Sequence, residues 1–409
     1  MINSKKKGFT IVELVIVIAV VAILAAVLIP TFSSLVKKAN TANDTAVAKN
    51  MNTALATYTA ENGKPESFDE VLIAIEEAGY VLANLNAKAE GNFYGWDEKN
   101  NQIVYIGKEG NVIYKNVDFD KSDVKIVVSG QVTLPSEFTA TIDVTKPESG
   151  KALEAALESG ISVTLQNDVK DVKDLSIPEG SNVTLNLGGF EYTTAQLNPG
   201  TEVQKSDYIR VEKGATLTIE GNGGTFNGRG IMNNGGTIVI KEGVTINALD
   251  TDGGGCIRNK KDGKIIIEGG TFIMNSVNAE VPIIDNNGGE ITINGGSFKS
   301  VGYTYAILQH SGKLTITNGT FESTRGLISV NDGELTISGG SFKNNGVAYA
   351  LYATGGTISI NAGTFNNISG KYSICIVNSV KGNYASYFNK VDENLNVDDH
   401  GPGAYYENK

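Results

Sequence analysis

Apolar residues fill the chain from Phe9 to Ile29 almost without a break, 21 residues in which only Thr10 and Glu13 are polar. At ~1.5 Å per residue such a helix spans roughly 30 Å, the hydrocarbon depth of a bilayer, so residues 9–29 are expected to cross a membrane. After Pro30, where a kink is expected because proline removes a helix donor, the pattern becomes amphipathic. Phe32, Leu35, Val36, Ala39, Ala42, Ala46, Met51, Ala54, Leu55 and Tyr58 recur at spacings near three and four, which extends the helix over 9–61 until Asn62-Gly63 stops it. Residues 62–117 read as a small head. Phe68, Val71, Leu72 and Ile75 share one face of a second helix over 67–78, followed by strands over 92–97 and 102–107 and a third at 112–114. Residues 118–150 alternate loosely around Pro135 and Pro147 and are expected to form a β-rich connector.

From Ala215 the chain repeats itself, as TLTIEGNGGTF, TIVIKEGVTI, KIIIEGGTF, EITINGGSF, KLTITNGTF, ELTISGGSF and TISINAGTF. The residue ending each unit falls at Phe226, Ile246, Phe272, Phe298, Phe321, Phe342 and Phe365, at intervals of 20, 26, 26, 23, 21 and 23. A period in the low twenties with short alternating strands marks a parallel β-solenoid over 151–382, in which each coil buries its apolar face only against its neighbours. Alternation places Ile231, Ile257, Ile283, Ile307, Ile328, Leu351 and Ile374 in one inward stack, with Met232, Arg258, Ile284, Leu308, Ser329, Tyr352 and Cys375 as the outward row. Asn233, Asn259, Asp285 and Gln309 are expected to form a polar ladder at a turn. A solenoid needs both ends covered. A helix over 151–159, with Leu153, Ala156 and Leu157 on one side, is the expected lid, and the tail 383–409, rich in Tyr384, Tyr387, Phe388, Tyr405 and Tyr406, the expected cap.

Composition narrows the function. A net charge of −11 repels phosphate backbones, which argues against a nucleic-acid partner. Cys256 and Cys375 are too few for a disulfide framework, and five coils between them, roughly 24 Å at ~4.8 Å per coil, put them beyond bridging distance; free thiols are expected. Lys5, Lys6 and Lys7 precede the apolar run, so the positive-inside bias keeps the N-terminus cytoplasmic and places the rest of the chain outside.

The basic leader Lys5-Lys6-Lys7, then Gly8, then Phe9-Thr10-Ile11-Val12-Glu13 opening the apolar helix, resembles the N-termini of type IV pilins and pseudopilins. The resemblance implies a leader over 1–8, cleavage between Gly8 and Phe9 by a prepilin peptidase, N-methylation of Phe9, and other pilin subunits as partners. Glu13 has an independent physical reading, since a carboxylate at the membrane end of a helix needs a partner unless it lies near enough to the interface to be solvated. The resemblance supplies one in the Phe9 amine of a neighbouring subunit. The solenoid opening, a helix followed by SGISVTL, resembles right-handed parallel β-helix domains of the pectin-lyase-like superfold, which hosts lyases, hydrolases and binding domains alike.

Candidate chemistry on the solenoid is sparse. Asp250, Asp252, Arg258 and Lys260, with Asp285 one coil on, form the best acidic and basic group for a calcium-dependent lyase, though a solvated Gly-Asp turn explains them as well. Asp398-Asp399-His400 lies in the tail rather than on a repeated strand, and His310 reads as a bystander in a turn. No catalytic residue, resident metal or cofactor is assigned. Arg258, Tyr303, Tyr305, Leu308, Tyr349 and Tyr352 make the candidate ligand surface, where apolar and aromatic side chains on consecutive coils face outward, and cover by the C-terminal tail is the equal alternative. The sequence therefore predicts a minor pilus or pseudopilus subunit, made as a single-pass precursor, that displays its β-helix outside the cell for adhesion to a glycan or cell-surface ligand. The alternative is a membrane-tethered polysaccharide lyase or glycoside hydrolase.

Overall fold

The computed structural model describes residues 11–80, 87–129, 134–135, 137–138, 140–172, 175–194, 209–228, 230–248, 256–274, 282–301, 305–346, 349–367, 374–377, 380–396 and 402–408. The chain divides into two compact units, with the main boundary between Ile142 and Asp143.

In the first unit, helix α1 runs unbroken from Ile11 to Asn62, 52 residues and about 78 Å long. It continues through Pro30, and the Thr31 hydroxyl donates to the Val27 carbonyl at 2.9 Å. Its apolar first half is long and apolar enough to cross a membrane, and its large apolar side chains are exposed, with Ile11 82% and Ile29 67% accessible. The second half packs inward through Ala48, Met51, Ala54 and Leu55. Helix α2, Phe68–Glu77, starts where Ser67 caps the Glu70 amide and buries Val71, Leu72, Ala74 and Ile75.

Strands β1 (Phe93–Asp97), β2 (Gln102–Ile106), β3 (Val112–Tyr114), β4 (Val124–Val128) and β5 (Ala140–Asp143) form one sheet in the order β3-β2-β1-β4-β5. The stretch read from sequence as a connector thus contributes two strands to the head. The reason is burial: Val124, Ile126, Val128 and Phe138 pack with Val104 and Ile106 in one apolar cluster, which the loose alternation did not reveal. Strand β2 is buried on both faces. Val104 and Ile106 point into that cluster, while Ile103 and Tyr105 meet α1.

Two polar side chains of α1 lock the head. Asn52 pairs with both backbone groups of Ile103, donating to its carbonyl at 2.7 Å and accepting from its amide at 2.9 Å. Asp44, 1% exposed, accepts from the Lys88 amide at 3.0 Å and from the Ala89 amide and the Tyr105 hydroxyl at 2.9 Å each.

The second unit opens with α3, Gly150–Glu158, capped by Ser149 and burying Leu153, Ala155, Ala156 and Leu157 against the first strands. A parallel β-solenoid of about eight turns follows. Each full coil has three strands, for example Ile257–Lys260, Lys264–Ile267 and Thr271–Met274, called here the first, second and third face. Side chains alternate in and out, as the burial of Leu217 and Ile219 between half-exposed Thr216, Thr218 and Glu220 illustrates. The third face carries a continuous inward stack of Tyr192, Phe226, Ile246, Phe272, Phe298, Phe321, Phe342 and Phe365. Neighbouring rings from Phe272 to Phe365 lie 4.6–4.8 Å apart and nearly parallel. Phe388 ends the stack edge-on, 5.3 Å from Phe365 at 79°. At the same end the strand Pro402–Asn408 pairs antiparallel with Ile374–Val377, so the last parallel edge is not left open.

At the corner between the first and second faces a buried amide ladder runs Asn233 to Asn259 to Asn286 to Gln309, with donor–acceptor distances of 3.0, 3.1 and 2.7 Å. It ends on the Ser311 carbonyl at 2.9 Å. The ladder member in the third of these coils is Asn286, not Asp285. The inward stack correspondingly takes Ile284 rather than Ile283, because Ile257 pairs with Ile284 and Asn259 with Asn286. Glycine is required beside the ladder: a Cβ at Gly289 would come within 2.2 Å of the Asn259 amide nitrogen.

Candidate functional site

The outward column of the first face runs Met232, Arg258, Asp285, Leu308, Ser329, Tyr352, Cys375. Asp285 therefore holds the outward position expected for Ile284, a one-residue shift that turns a side chain to the opposite face. Of the residues expected to form a ligand surface, Arg258, Leu308 and Tyr352 share this column, and Tyr305 and Tyr349 lie beside it on the same face. Tyr303, Asp250 and Asp252 lie outside the described residues, as do Gly8, Phe9, Asp398, Asp399 and His400. The calcium-site reading thus has only Arg258, Lys260 and Asp285 on described strands.

Asp285 is mostly buried, and its carboxylate is held on both oxygens. Oδ2 accepts from Arg258 Nε at 3.2 Å, while Oδ1 accepts from Asn287 Nδ2 at 2.8 Å and lies 3.3 Å from His310 Nε2. The other His310 ring nitrogen, Nδ1, is 3.3 Å from Asn331 Nδ2. Arg258, Asp285, His310 and Asn331 thereby form a polar chain across four consecutive coils. His310, read from sequence as a bystander, is part of it. The signal was its position three residues after the inward Ile307, an outward site beside the column, which becomes readable only once the register is right.

Further along the face, Tyr305 and Tyr352 lie 6.0 Å apart at 18°, and Tyr349 and Tyr352 6.1 Å apart at 17°. All three rings are half-buried and share one orientation. Tyr349 and Tyr352 rest on the buried Cys375. The ring of Tyr305 occupies the space that a side chain at Gly326 would need, since a Cβ there would lie 2.4 Å from its Cε1. Burial pushes the Tyr305 hydroxyl well above its ordinary range. Cys256 and Cys375 are both buried and unbridged.

At the other end of the chain, Glu13 lies in the first turn of α1, exposed among exposed apolar side chains. Residues 3–29, which include it, match the prokaryotic N-terminal methylation motif. The chain opens with a type IV pilin motif. Over 66 residues it is 39% identical to the type IV major pilin protein PilE1 of Neisseria gonorrhoeae, covering 16% of this chain and 40% of that protein. Over 72 residues it is 44% identical to the type IV wide pilus major component PilA4 of Thermus thermophilus, covering 17% of this chain and 53% of that one. The chain thus spans about half or less of the length of these relatives. No solved structure matches significantly.

The pilin motif and the exposed apolar helix fit a membrane-anchored precursor that goes on to a pilus.

Proposed function

We propose that the chain is a minor subunit of a type IV pilus or pseudopilus that carries a β-solenoid outside the cell for adhesion to a glycan or cell-surface ligand. The observation that carries this reading is the coincidence of the methylation motif with a helix whose first half exposes every large apolar side chain from Ile11 to Phe32. A soluble protein does not leave such a stripe uncovered; a bilayer, and then the packed stems of neighbouring subunits, would cover it. In this reading the prepilin peptidase cuts between Gly8 and Phe9, Phe9 is methylated, and Glu13 pairs with the Phe9 amine of a neighbour. The solenoid is bulky for the wall of a filament, which favours a minor or tip position. Against a lyase or hydrolase stands the engagement of Asp285 on both oxygens, which leaves it badly placed as a general base.

Mass spectrometry of the mature chain tests the processing: loss of residues 1–8 and one added methyl on Phe9 are expected, and an intact N-terminus would refute it. Glu13→Ala should lower incorporation into filaments while leaving membrane insertion unchanged; incorporation equal to wild type would remove the pairing role. Cleavage of a polysaccharide by the full chain, abolished in Arg258→Ala, would replace adhesion with catalysis.

A further inference from the structure

The geometry points to a binding site on the first face for a short, neutral pyranose oligosaccharide, its sugar rings laid along Tyr305, Tyr352 and Tyr349 and its hydroxyls set against the Arg258–Asp285–His310 chain. This rests on the reading of the solenoid as the ligand-facing part of the molecule, and it names the ligand class and the residues. Three properties of the face carry it.

The first is the spacing of the rings. Inside the solenoid, phenylalanines stack at 4.6–4.8 Å and bury one another. The tyrosines are within 18° of parallel but stand 6.0 and 6.1 Å apart and stay half-buried, a looser spacing on the scale of one sugar ring per tyrosine. They are also fixed in place, Tyr305 over Gly326 and the other two on Cys375, so little side-chain freedom is lost when a ligand settles on them.

Charge is the second. The Arg258 guanidinium is matched by the Asp285 carboxylate, and His310 is held to the same carboxylate, so the polar end of the face offers oriented hydrogen-bonding groups with its main charges already paired. Hydroxyl groups suit such a surface, whereas a polyanion would also meet a chain of net charge −11. Arg325, exposed and close enough to Tyr305 to act on its hydroxyl electrostatically, would favour an acidic sugar, and it defines the competing outcome.

The third is size. From the coil of Arg258 to that of Tyr352 is four coil spacings, roughly 19 Å at ~4.8 Å each, and a strand of four residues is about 13 Å wide. The resulting area, on the order of 250 Å², is well below the ~800 Å² per partner of a stable protein interface. It fits a chain of a few sugars lying along the solenoid axis.

Calorimetry of the full chain in detergent micelles with cellohexaose, xylohexaose and mannohexaose, and with a hexamer of galacturonate, tests the assignment. At least one neutral hexasaccharide should bind, and more tightly than the acidic one. Tyr352→Ala should weaken that binding about tenfold, equivalent to ~1.4 kcal/mol, while Tyr352→Phe, which keeps the ring, stays within about twofold of wild type. His310→Ala, at an exposed position that leaves the tyrosines in place, should cost about threefold, the scale of one hydrogen bond. Binding of none of the neutral sugars, tighter binding of galacturonate, or unchanged affinity in both Tyr352→Ala and His310→Ala would overturn the inference. Filament incorporation, scored in parallel, separates the two readings. A chain that incorporates but binds no sugar overturns this site alone, and one that binds but never incorporates overturns the pilus-subunit reading alone.

Discussion

Asp44 in the head and Asn259 in the solenoid are both buried polar side chains, and they are satisfied in opposite ways. Asp44 gathers three donors from distant parts of the chain, the Lys88 and Ala89 amides and the Tyr105 hydroxyl, in an arrangement that occurs once among the described residues. Asn259 accepts from the same type of residue one coil before it and donates to the same type one coil after it. The head is thus held by single, unlike contacts that hold a helix, a loop and a sheet together, while the solenoid is held by one contact copied along an axis. A fault in the head removes a unique anchor; a fault in the solenoid interrupts a column but leaves its other members in register.

The largest effect is expected inside the ring column. Phe321 is stacked on both sides, at 4.6 Å from Phe298 and 4.8 Å from Phe342, and is 1% exposed. Phe321→Ala should destabilise the solenoid by about 3–5 kcal/mol, through lost burial and a cavity that rigid neighbouring coils cannot close. Strand circular dichroism in a denaturant series would read it. Trp96, the sole tryptophan, lies in the head, so its fluorescence transition should stay where it is. A shift of both transitions together would break the contrast between the two units.

Asp44→Ala comes next and should show the reverse pattern. It strands three donors at about 1–3 kcal/mol for each that stays dry, so a loss of about 3 kcal/mol is expected in the Trp96 transition, with the strand signal unmoved. Alkaline pH sharpens the comparison from a different side. Burial pushes the Cys256 thiol up from 9.0 to about 12 and the Tyr105 hydroxyl from 10.0 to about 12. In both groups the folded state holds its proton more tightly, so stability is complete below the unfolded pKa and falls as pH rises toward the folded one. The solenoid should therefore begin to weaken above pH 9, by roughly 1.4 kcal/mol at pH 10, and the head only above pH 10. Cys256→Ala should shrink the earlier phase; an unchanged phase would show that another group carries it.

The same contrast explains what could be read in advance. The solenoid was legible because each coil repeats the test: apolar alternation recurs at Leu217 and Ile219, Ile265 and Ile267, Leu314 and Ile316, and the phenylalanines recur with it. The one slip came where alternation is silent, at Val281-Pro282-Ile283-Ile284, since consecutive apolar residues do not say which one points inward. Counting back from the glycine pair would have resolved it, because Asn233 precedes Gly236 by three residues and Asn286 precedes Gly289 by three. That slip also hid the place of Asp285 beside His310 on the outward face. In the head, helix periodicity and the three short strands were readable, but the roles of Asp44 and Asn52 were not. Nothing local separates a buried Asp that organises a loop from an exposed one on the same helix, and its partners lie 44, 45 and 61 residues away.

The smallest effect should come from the residue next to the largest. Glu322 follows Phe321 on the same strand, and alternation turns its side chain outward, 41% exposed, where it accepts from Asn345 at 2.7 Å and Lys343 at 3.1 Å. The hydrogen bond from Asn345, and then that from Lys343, hold its carboxyl below the usual range. A depressed carboxyl contributes stability above its unfolded pKa and loses it as pH falls through the folded one, so any contribution of Glu322 should fade in acid. Solvent screening and the entropy of two long side chains keep such pairs within about 0–1 kcal/mol. Glu322→Gln, which retains an acceptor for Asn345, should cost less than about 0.5 kcal/mol at neutral pH and still less in high salt. If it instead approached the cost of Phe321→Ala, the solenoid would depend on its outer charge rows as much as on its inner stacks, and repetition of buried contacts would no longer distinguish it from the head.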